Sequence, residues 1–224
     1  ADGIHSRVRT LAFGSVTPTY SGYTCWRFAG PVAGGVTHPV EMWGKGQRVG
    51  LVPLAGAYMV YAFFVESAPA GTPHDAARRS AGFVRGRFAS FGGDVPRVLA
   101  ALGDDAAPLL HHDIDEVVLP AWVRGPVALL GDAAHAMTPN LGQGAAMAIE
   151  DAFVLARELV SQDPPGALAA YEARRRPRVT DIQDRSRNLG RIAQWQSPLA
   201  TAARDWALRL APSSATAKAI ERVV

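Results

Sequence analysis

The stretch from Pro126 to Glu158 holds the residues whose types and spacing could do chemistry. Its apolar start predicts a buried strand that delivers Gly131 and Asp132 to its carboxyl end, where ligands bind in open α/β sheets. The Asp132 carboxylate could there accept hydrogen bonds from sugar-type hydroxyls. Ten residues further on, the run Gly142-Gln143-Gly144 opens a predicted helix, whose free N–H groups and partial positive charge suit an electron-rich or anionic group. We therefore expect a cofactor site, against the alternative of an ordinary strand-loop-helix connection.

The elements before this stretch predict an α/β or α+β fold with a mixed sheet. Strand-like runs between about Tyr20 and Ser67, separated by glycine turns, are typical of an antiparallel meander. Helices are expected within residues 73–103, and a further strand over Leu109–Val118.

Three helices should follow the same stretch. The first runs from about Gln143 to Val160, and its apolar positions at helical spacing are Ile149, Ala152, Phe153, Ala156, Leu159 and Val160. The next begins near Ala167 and is interrupted or kinked near Pro177, because proline removes a helical hydrogen bond. The last presents one apolar face made of Leu199, Ala202, Ala203, Trp206 and Leu210.

Composition and charge exclude several protein classes. The 224 residues are 48% hydrophobic and 19% charged, which indicates a globular protein with a real core. The longest apolar run, Ala57–Val65, is too short to span a bilayer, and no signal peptide is visible, so we expect a cytoplasmic protein. The single cysteine, Cys25, excludes a disulfide scaffold and a cysteine-based zinc site. Residues 174–224 are basic, and we favour a solvated helical surface there over nucleic-acid binding.

The histidines do not predict a metal site. His111 shares a strand face with Asp113 and Asp115 while His112 points away, and we expect no metal. His135 is expected to orient its loop rather than to act in catalysis. Cys25 is expected to be an inert core residue.

Several segments of the sequence resemble those of a known family. The segment GDAAHAMTPNLGQGAAMAIEDA strongly resembles the GD motif of the FAD-dependent aromatic hydroxylases, the group A flavoprotein monooxygenases, and the opening DGIHSRVR resembles their DG motif. The segments YTCWRFAG at 23–30, WGKGQRVGLVPL at 43–54 and AAYEARRRPR near the C-terminus look like the salicylate hydroxylase-like and urate hydroxylase-like branch. The resemblance covers essentially the whole chain.

The resemblance implies roles for individual residues. Asp132 would hydrogen-bond the ribityl chain of FAD, and the backbone from Gly142 to Ala145 would face the pyrimidine edge of the flavin. The residues implied to bind FAD or NAD(P)H are Asp2, Gly3, Arg7, Gly131, Asp132, Pro139, Gly142, Gln143, Gly144 and Ala145. Arg27 and Pro139 are the catalytic candidates. The substrate-binding candidates, for which core packing is the alternative interpretation, are Trp26, Arg27, Tyr61 and Phe63.

One departure from the family concerns the G-x-G-x-x-G unit that holds the ADP part of FAD. No such fingerprint occurs in these residues, so we expect the C-terminal portion of a two-domain FAD-binding monooxygenase fold. Residues 1–14 and 108–188 would be the remaining part of the FAD-binding domain. Residues 15–107 would form the substrate-binding sheet, and 189–224 the C-terminal helices.

The expected function is that of a monooxygenase that uses FAD, NAD(P)H and O₂ to insert one oxygen atom into a small aromatic substrate. The chain is expected to need the N-terminal FAD-binding half and to be inactive alone. Two alternatives remain open. One is a flavin-dependent epoxidase or NAD(P)H oxidase, and the other is a non-catalytic module that binds a partner through its basic C-terminal helices. Neither nucleic acid nor a membrane is an expected partner.

Overall fold

A computed structural model describes residues 1–56, 58–103 and 109–210. The described residues fall into two compact units. The first unit contains Ala1–Ser21 and Asp115–Arg191, and the second contains Gly22–Ile114 and Ile192–Arg209.

A five-stranded sheet forms the centre of the second unit. Its strands are β1 (Thr19–Pro31), β2 (Val40–Trp43), β3 (Gln47–Pro53), β4 (Met59–Ser67) and β5 (Leu110–Glu116). They lie in the order β2-β3-β4-β1-β5, and β2–β3, β3–β4 and β4–β1 pair antiparallel. The expected antiparallel meander is therefore confirmed for β2, β3 and β4, whereas β1 lies beside β4 and not beside β2.

Alternate residues of the sheet form the core of this unit, because successive side chains of a strand point to opposite faces. Trp26, Leu51 and Phe64 are fully buried on one face. They pack with residues of α2 (Ala81–Phe88) and α3 (Val95–Ala101). The helices expected within residues 73–103 are present, but the first begins later than Pro73, since the Ser80 hydroxyl accepts the Phe83 N–H at 3.1 Å at the start of α2.

The first unit is mainly helical. It contains α1 (Arg7–Phe13), the one-turn helix α4 (Asp132–His135), a 3-10 turn over Pro139–Leu141, α5 (Gly144–Ser161) and most of α6 (Pro164–Ala193). Its core includes Leu129, Met147, Tyr171 and Ile182. The Tyr171 hydroxyl donates to the Leu129 carbonyl at 2.9 Å, which ties α6 to the segment that leads into α4.

Two expectations for this unit are wrong. In place of a strand over Pro126–Leu130, β7 covers Val127–Ala128 alone and pairs with β6 (Val123–Arg124) around a turn at Gly125, whose φ is 56°. In addition, the interruption expected near Pro177 is wrong, since α6 runs unbroken for 30 residues with Pro177 inside it, while a kink there stays a prediction.

The apolar faces predicted for two helices are exposed. On α5, Ile149, Phe153 and Val160 are 71%, 70% and 90% exposed. On α7 (Pro198–Leu210), Leu199 and Trp206 are exposed, while the buried positions are Thr201 and Arg204. Periodicity thus located the apolar faces, but these faces are not the ones that the units bury.

Among the residues that the structure describes, no helix combines the length and the apolar character needed to cross a membrane.

Candidate functional site

A cavity of about 540 Å³ in the first unit is lined by residues from two separate parts of the chain, its N-terminus and residues 130–148. Of the predicted cofactor residues, those that line it are Gly3, Gly131, Asp132, Pro139, Gly142, Gly144 and Ala145. Asp2, Arg7 and Gln143 are not among the lining residues. The lining residues that sequence analysis did not single out are Ala1, Leu130, Met137, Thr138 and Ala148. Most of these have small or apolar side chains, which carry no chemical signal in a sequence.

Gly131 makes the turn that presents Asp132 to this cavity. Its φ of 59° and ψ of −146° lie in a region that L side chains rarely adopt. A Cβ atom here would also come within 3.1 Å of the Ala148 Cβ on α5. The backbone thus passes close against α5 at this point and leaves Asp132 exposed at the start of α4.

The start of α5 forms another part of the lining. Gly142 closes the 3-10 turn with a φ of 64° and donates its N–H to the Pro139 carbonyl at 3.0 Å. Gln143 occupies the N-cap position, but its side chain makes no capping hydrogen bond within the described residues. The first N–H groups of this 18-residue helix therefore keep their capacity to bind an electron-rich group.

These residues fit the flavin that the motifs imply. The Asp132 carboxylate has no hydrogen-bond or ion-pair partner within residues 1–56, 58–103 and 109–210, so it can accept from a ligand hydroxyl. A Cβ atom at Gly142 would meet nothing within 4 Å, and one at Gly144 would meet only Met137, at 3.7 Å. The glycines thus leave open space in front of the backbone donors.

Asp2 of the N-terminal DG motif also forms hydrogen bonds at the start of α1. Asp2 accepts the N–H groups of Arg7 and Val8 at 2.8 and 3.1 Å and is hydrogen-bonded to the Ser6 hydroxyl. The Ser6 hydroxyl and the Val8 N–H lower the pKa of Asp2 to about 2. The predicted ligand role of Asp2 therefore competes with its role at the start of this helix.

Arg9, which no sequence pattern singles out, joins this motif to α4. Arg9 is buried, and its guanidinium donates to the Ile4 carbonyl at 2.6 Å and to the Ala133 carbonyl at 2.9 Å. Arg9 fits the polar positions of a short amphipathic helix, so the sequence gives no sign of its contact with the distant Ala133 carbonyl.

His135 is buried on α4 and is not one of the lining residues. Its Nε2 lies 2.5 Å from the Asp151 carboxylate on α5. This contact supports the expectation that His135 orients the loop.

The substrate candidates lie in the second unit. Arg27 is paired with Phe63 across β1 and β4, and the Tyr61 and Phe63 rings on the same face are 6.2 Å apart. Burial raises the pKa of the Tyr61 hydroxyl and outweighs the opposite effect of Arg27. The hydroxyl therefore stays protonated and can donate a hydrogen bond. Trp26 points to the opposite face and is fully buried in the core.

The histidines of β5 are part of a stacked cluster. The His111 ring stacks between Trp26 and His74, with centroids 4.3 and 4.0 Å away. Thr24 donates to the His112 carbonyl at 3.0 Å, so His111 Nε2, 2.8 Å from the Thr24 hydroxyl, is the donor to it. Burial, with His74 and Arg78 nearby, lowers the pKa of His111 to about 4. No group of three His, Cys, Asp or Glu residues in the described part of the chain is placed to hold a metal.

A family model described as an FAD binding domain matches residues 101–186. The chain is 37% identical over 235 residues to 2-heptyl-3-hydroxy-4(1H)-quinolone synthase of Pseudomonas aeruginosa (strain UCBPP-PA14), covering 100% of this chain and 58% of the synthase. It is 38% identical over 192 residues to the FAD-dependent urate hydroxylase of Klebsiella oxytoca, covering 81% and 48% of the two chains.

A solved structure agrees with these relatives. Klebsiella pneumoniae HpxO, crystallised in complex with FAD and uric acid, matches with a TM-score of 0.87 and 30% identity, over 100% of this chain and 58% of HpxO. The expected fold and the expected cofactor of the family, FAD, are confirmed. The chain spans about half the length of these two relatives. Residues 101–186 thus match an FAD binding domain, and the chain is similar to FAD-dependent monooxygenases over a part of their length.

Proposed function

We propose that this chain is the part of an FAD-dependent monooxygenase that contributes a flavin-facing loop and a substrate-facing sheet. The whole protein would use NAD(P)H and O₂ to insert one oxygen atom into a small aromatic substrate. The observation that carries the proposal is the cavity of about 540 Å³ in which Gly3, Asp132 and the start of α5 meet. FAD, when bound, supplies the redox chemistry that couples the reductant to O₂.

In this proposal the residues of the cavity hold and tune the cofactor. Asp132 accepts hydrogen bonds from the ribityl hydroxyls. The N–H groups at Gly144 and Ala145, together with the helix dipole of α5, stabilise negative charge at the pyrimidine edge. Pro139, at the first position of the 3-10 turn, keeps the loop between these two groups rigid.

The sheet of the second unit supplies the substrate candidates. Arg27 is a permanent cation and lies 3.5 Å from His112 Nδ1, and we assign it a role in binding or orienting an electron-rich substrate. Tyr61 and Phe63 offer flat apolar surface on the same face, which suits an aromatic ring.

The relatives support a narrower substrate class. One is named for a quinolone and another for urate, and both names denote nitrogen heterocycles. A nitrogen-containing heteroaromatic ring is therefore the first substrate class to screen.

The exposed apolar face of α5 supports the expected need for a further part of the protein. Ile149, Phe153 and Val160 form a surface that a folded protein normally covers. In the whole protein this face would pack against the N-terminal FAD-binding half.

The test uses the natural full-length protein. Purified protein should carry FAD, and a heteroaromatic substrate should accelerate NAD(P)H consumption and yield a product labelled by ¹⁸O₂. The D132A variant should lose FAD affinity, while the matched surface variant D181N should not, since Asp181 has its exposed partner Arg185 on α6. Full NAD(P)H consumption with peroxide as the sole product would favour the oxidase alternative. Absence of FAD from the full-length protein would overturn the proposal.

A further inference from the structure

Asp151 is a buried carboxylate with three hydrogen-bond donors. It lies on α5 and is 0% exposed. One oxygen, Oδ2, accepts the Gly131 N–H at 3.0 Å and lies 2.5 Å from His135 Nε2. The other oxygen, Oδ1, accepts Arg175 Nε from α6 at 2.8 Å. A single side chain therefore connects three separate elements.

Two of these donors lie at the two ends of α4. Gly131 precedes the helix and His135 is its last residue, so the same oxygen holds the one-turn helix at both ends. Asp132, the first residue of α4, lies between them and faces the cavity. The direction of the Asp132 side chain thus depends on where Asp151 holds α4.

The third donor fixes Asp151 itself. Arg175 donates to Asp151 and to the Met147 carbonyl and is paired with Glu150. Arg178 in turn holds Glu150 through two contacts of 3.0 Å. Burial acts to raise the pKa of Asp151, but the hydrogen bonds from His135, Arg175 and Gly131 outweigh it and hold the pKa below its ordinary value. The carboxylate is therefore charged and can only accept.

We propose that Asp151 is a positioning residue for the cofactor site, holding α4 against α5 so that Asp132 and the first turn of α5 line one cavity. This inference rests on the proposed function, because it assumes that the cavity binds FAD. Asp151 itself is not one of the residues that line the cavity. Its effect on the ligand passes through Gly131 and His135.

An asparagine in this place keeps the shape and loses an acceptor. The Asp151→Asn side chain has one oxygen, so it cannot serve both Arg175 and the two donors of α4. Its amide N–H₂ group would face either Arg175 or the two donors of α4. The buried N–H groups on that side would then have no acceptor. We expect α4 to shift and FAD affinity to fall by about tenfold or more.

A matched control is available on the same helix. Glu158 is also a buried acid of α5, and it is held by Gln162 at 2.6 Å and by Arg174 at 3.3 Å. Among the described residues it has no hydrogen bond or ion pair with α4. The E158Q variant should therefore cost stability without changing FAD affinity.

The experiment measures FAD binding to the apo form of the natural full-length protein by flavin fluorescence, together with the Tm of the same apo samples. The D151N and H135L variants should bind FAD about tenfold more weakly or worse, and E158Q should bind as wild type does. H135Q should recover most of the affinity, because the glutamine Nε2 can replace the histidine donor. The H135L and H135Q pair decides the matter if D151N does not fold.

Two results would overturn the inference. The first is wild-type FAD affinity in D151N and H135L with a lowered apo Tm, which would make Asp151 a purely structural residue. The second is an equal loss of affinity in E158Q. If wild-type protein itself binds no FAD, the proposed function fails and this inference fails with it, which distinguishes that outcome from the first two.

Discussion

Protonation of His111 should destabilise the second unit as pH falls. The ring is 3% exposed and stacked between Trp26 and His74. Its Nδ1 has no hydrogen-bond partner within the described residues. Protonation would place an unpaired N–H and a positive charge in this site, beside the Arg78 guanidinium that already helps to lower the pKa. Asp113 opposes this effect, but its carboxylate is bonded to His74 at 3.0 Å.

The size and sign follow from the two pKa values. An unfolded histidine has a pKa of 6.5, and His111 in the folded chain has one of about 4. The unfolded chain therefore binds the proton first as pH falls. The contribution to stability is fully present above pH 6.5 and is lost between that value and about pH 4. The free energy of unfolding falls by at most about 3 kcal/mol over this range.

Urea unfolding at a series of pH values would measure this loss. His111→Gln keeps an N–H donor for Thr24 and cannot titrate, so its unfolding free energy should fall less than that of the wild type between about pH 7 and pH 4. His38→Gln is the control, because His38 is exposed and bonded to Thr37 next to it. An identical pH dependence for wild type and H111Q would refute the reasoning.

Three further substitutions test contacts inside each unit. Gly131→Ala places a Cβ at a φ of 59° and 3.1 Å from Ala148, so thermal unfolding should show a loss of about 1–3 kcal/mol; an unchanged Tm would contradict the described turn. Gly50→Ala would bring a Cβ to 1.9 Å from the Phe63 ring and force that ring to move, so the KM for substrate should rise while FAD affinity stays constant. Arg9→Met leaves two carbonyls without their donor and should lower the Tm and weaken FAD binding, as measured by fluorescence titration.

The antiparallel strands and the glycine loop before α5 could be predicted because their signals are local. The turn glycines and the alternating strands define the strands β1 to β4 without knowledge of distant contacts, but not the place of β1 beside β4. Gly142 and Gly144, which the motif implies to lie at the flavin, line the cavity. The short strand before Gly131 was overestimated, because an apolar run marks burial and not backbone pairing. Leu129 is buried, and its N–H donates to the Trp122 carbonyl just beyond the hairpin of β6 and β7.

The orientation of α5 could not be predicted, for a reason that also explains the cofactor site. The periodic stripe that includes Ile149 and Phe153 predicts burial, yet the face that the unit buries contains Met147, Asp151 and Glu158. Two buried acids are costly unless they are paired, and both partners, Arg175 and Arg174, come from the next helix. No periodicity shows such pairing. The charged face of α5 thus follows its ionic partners on α6, which leaves the apolar face exposed and places one carboxylate where it can hold α4.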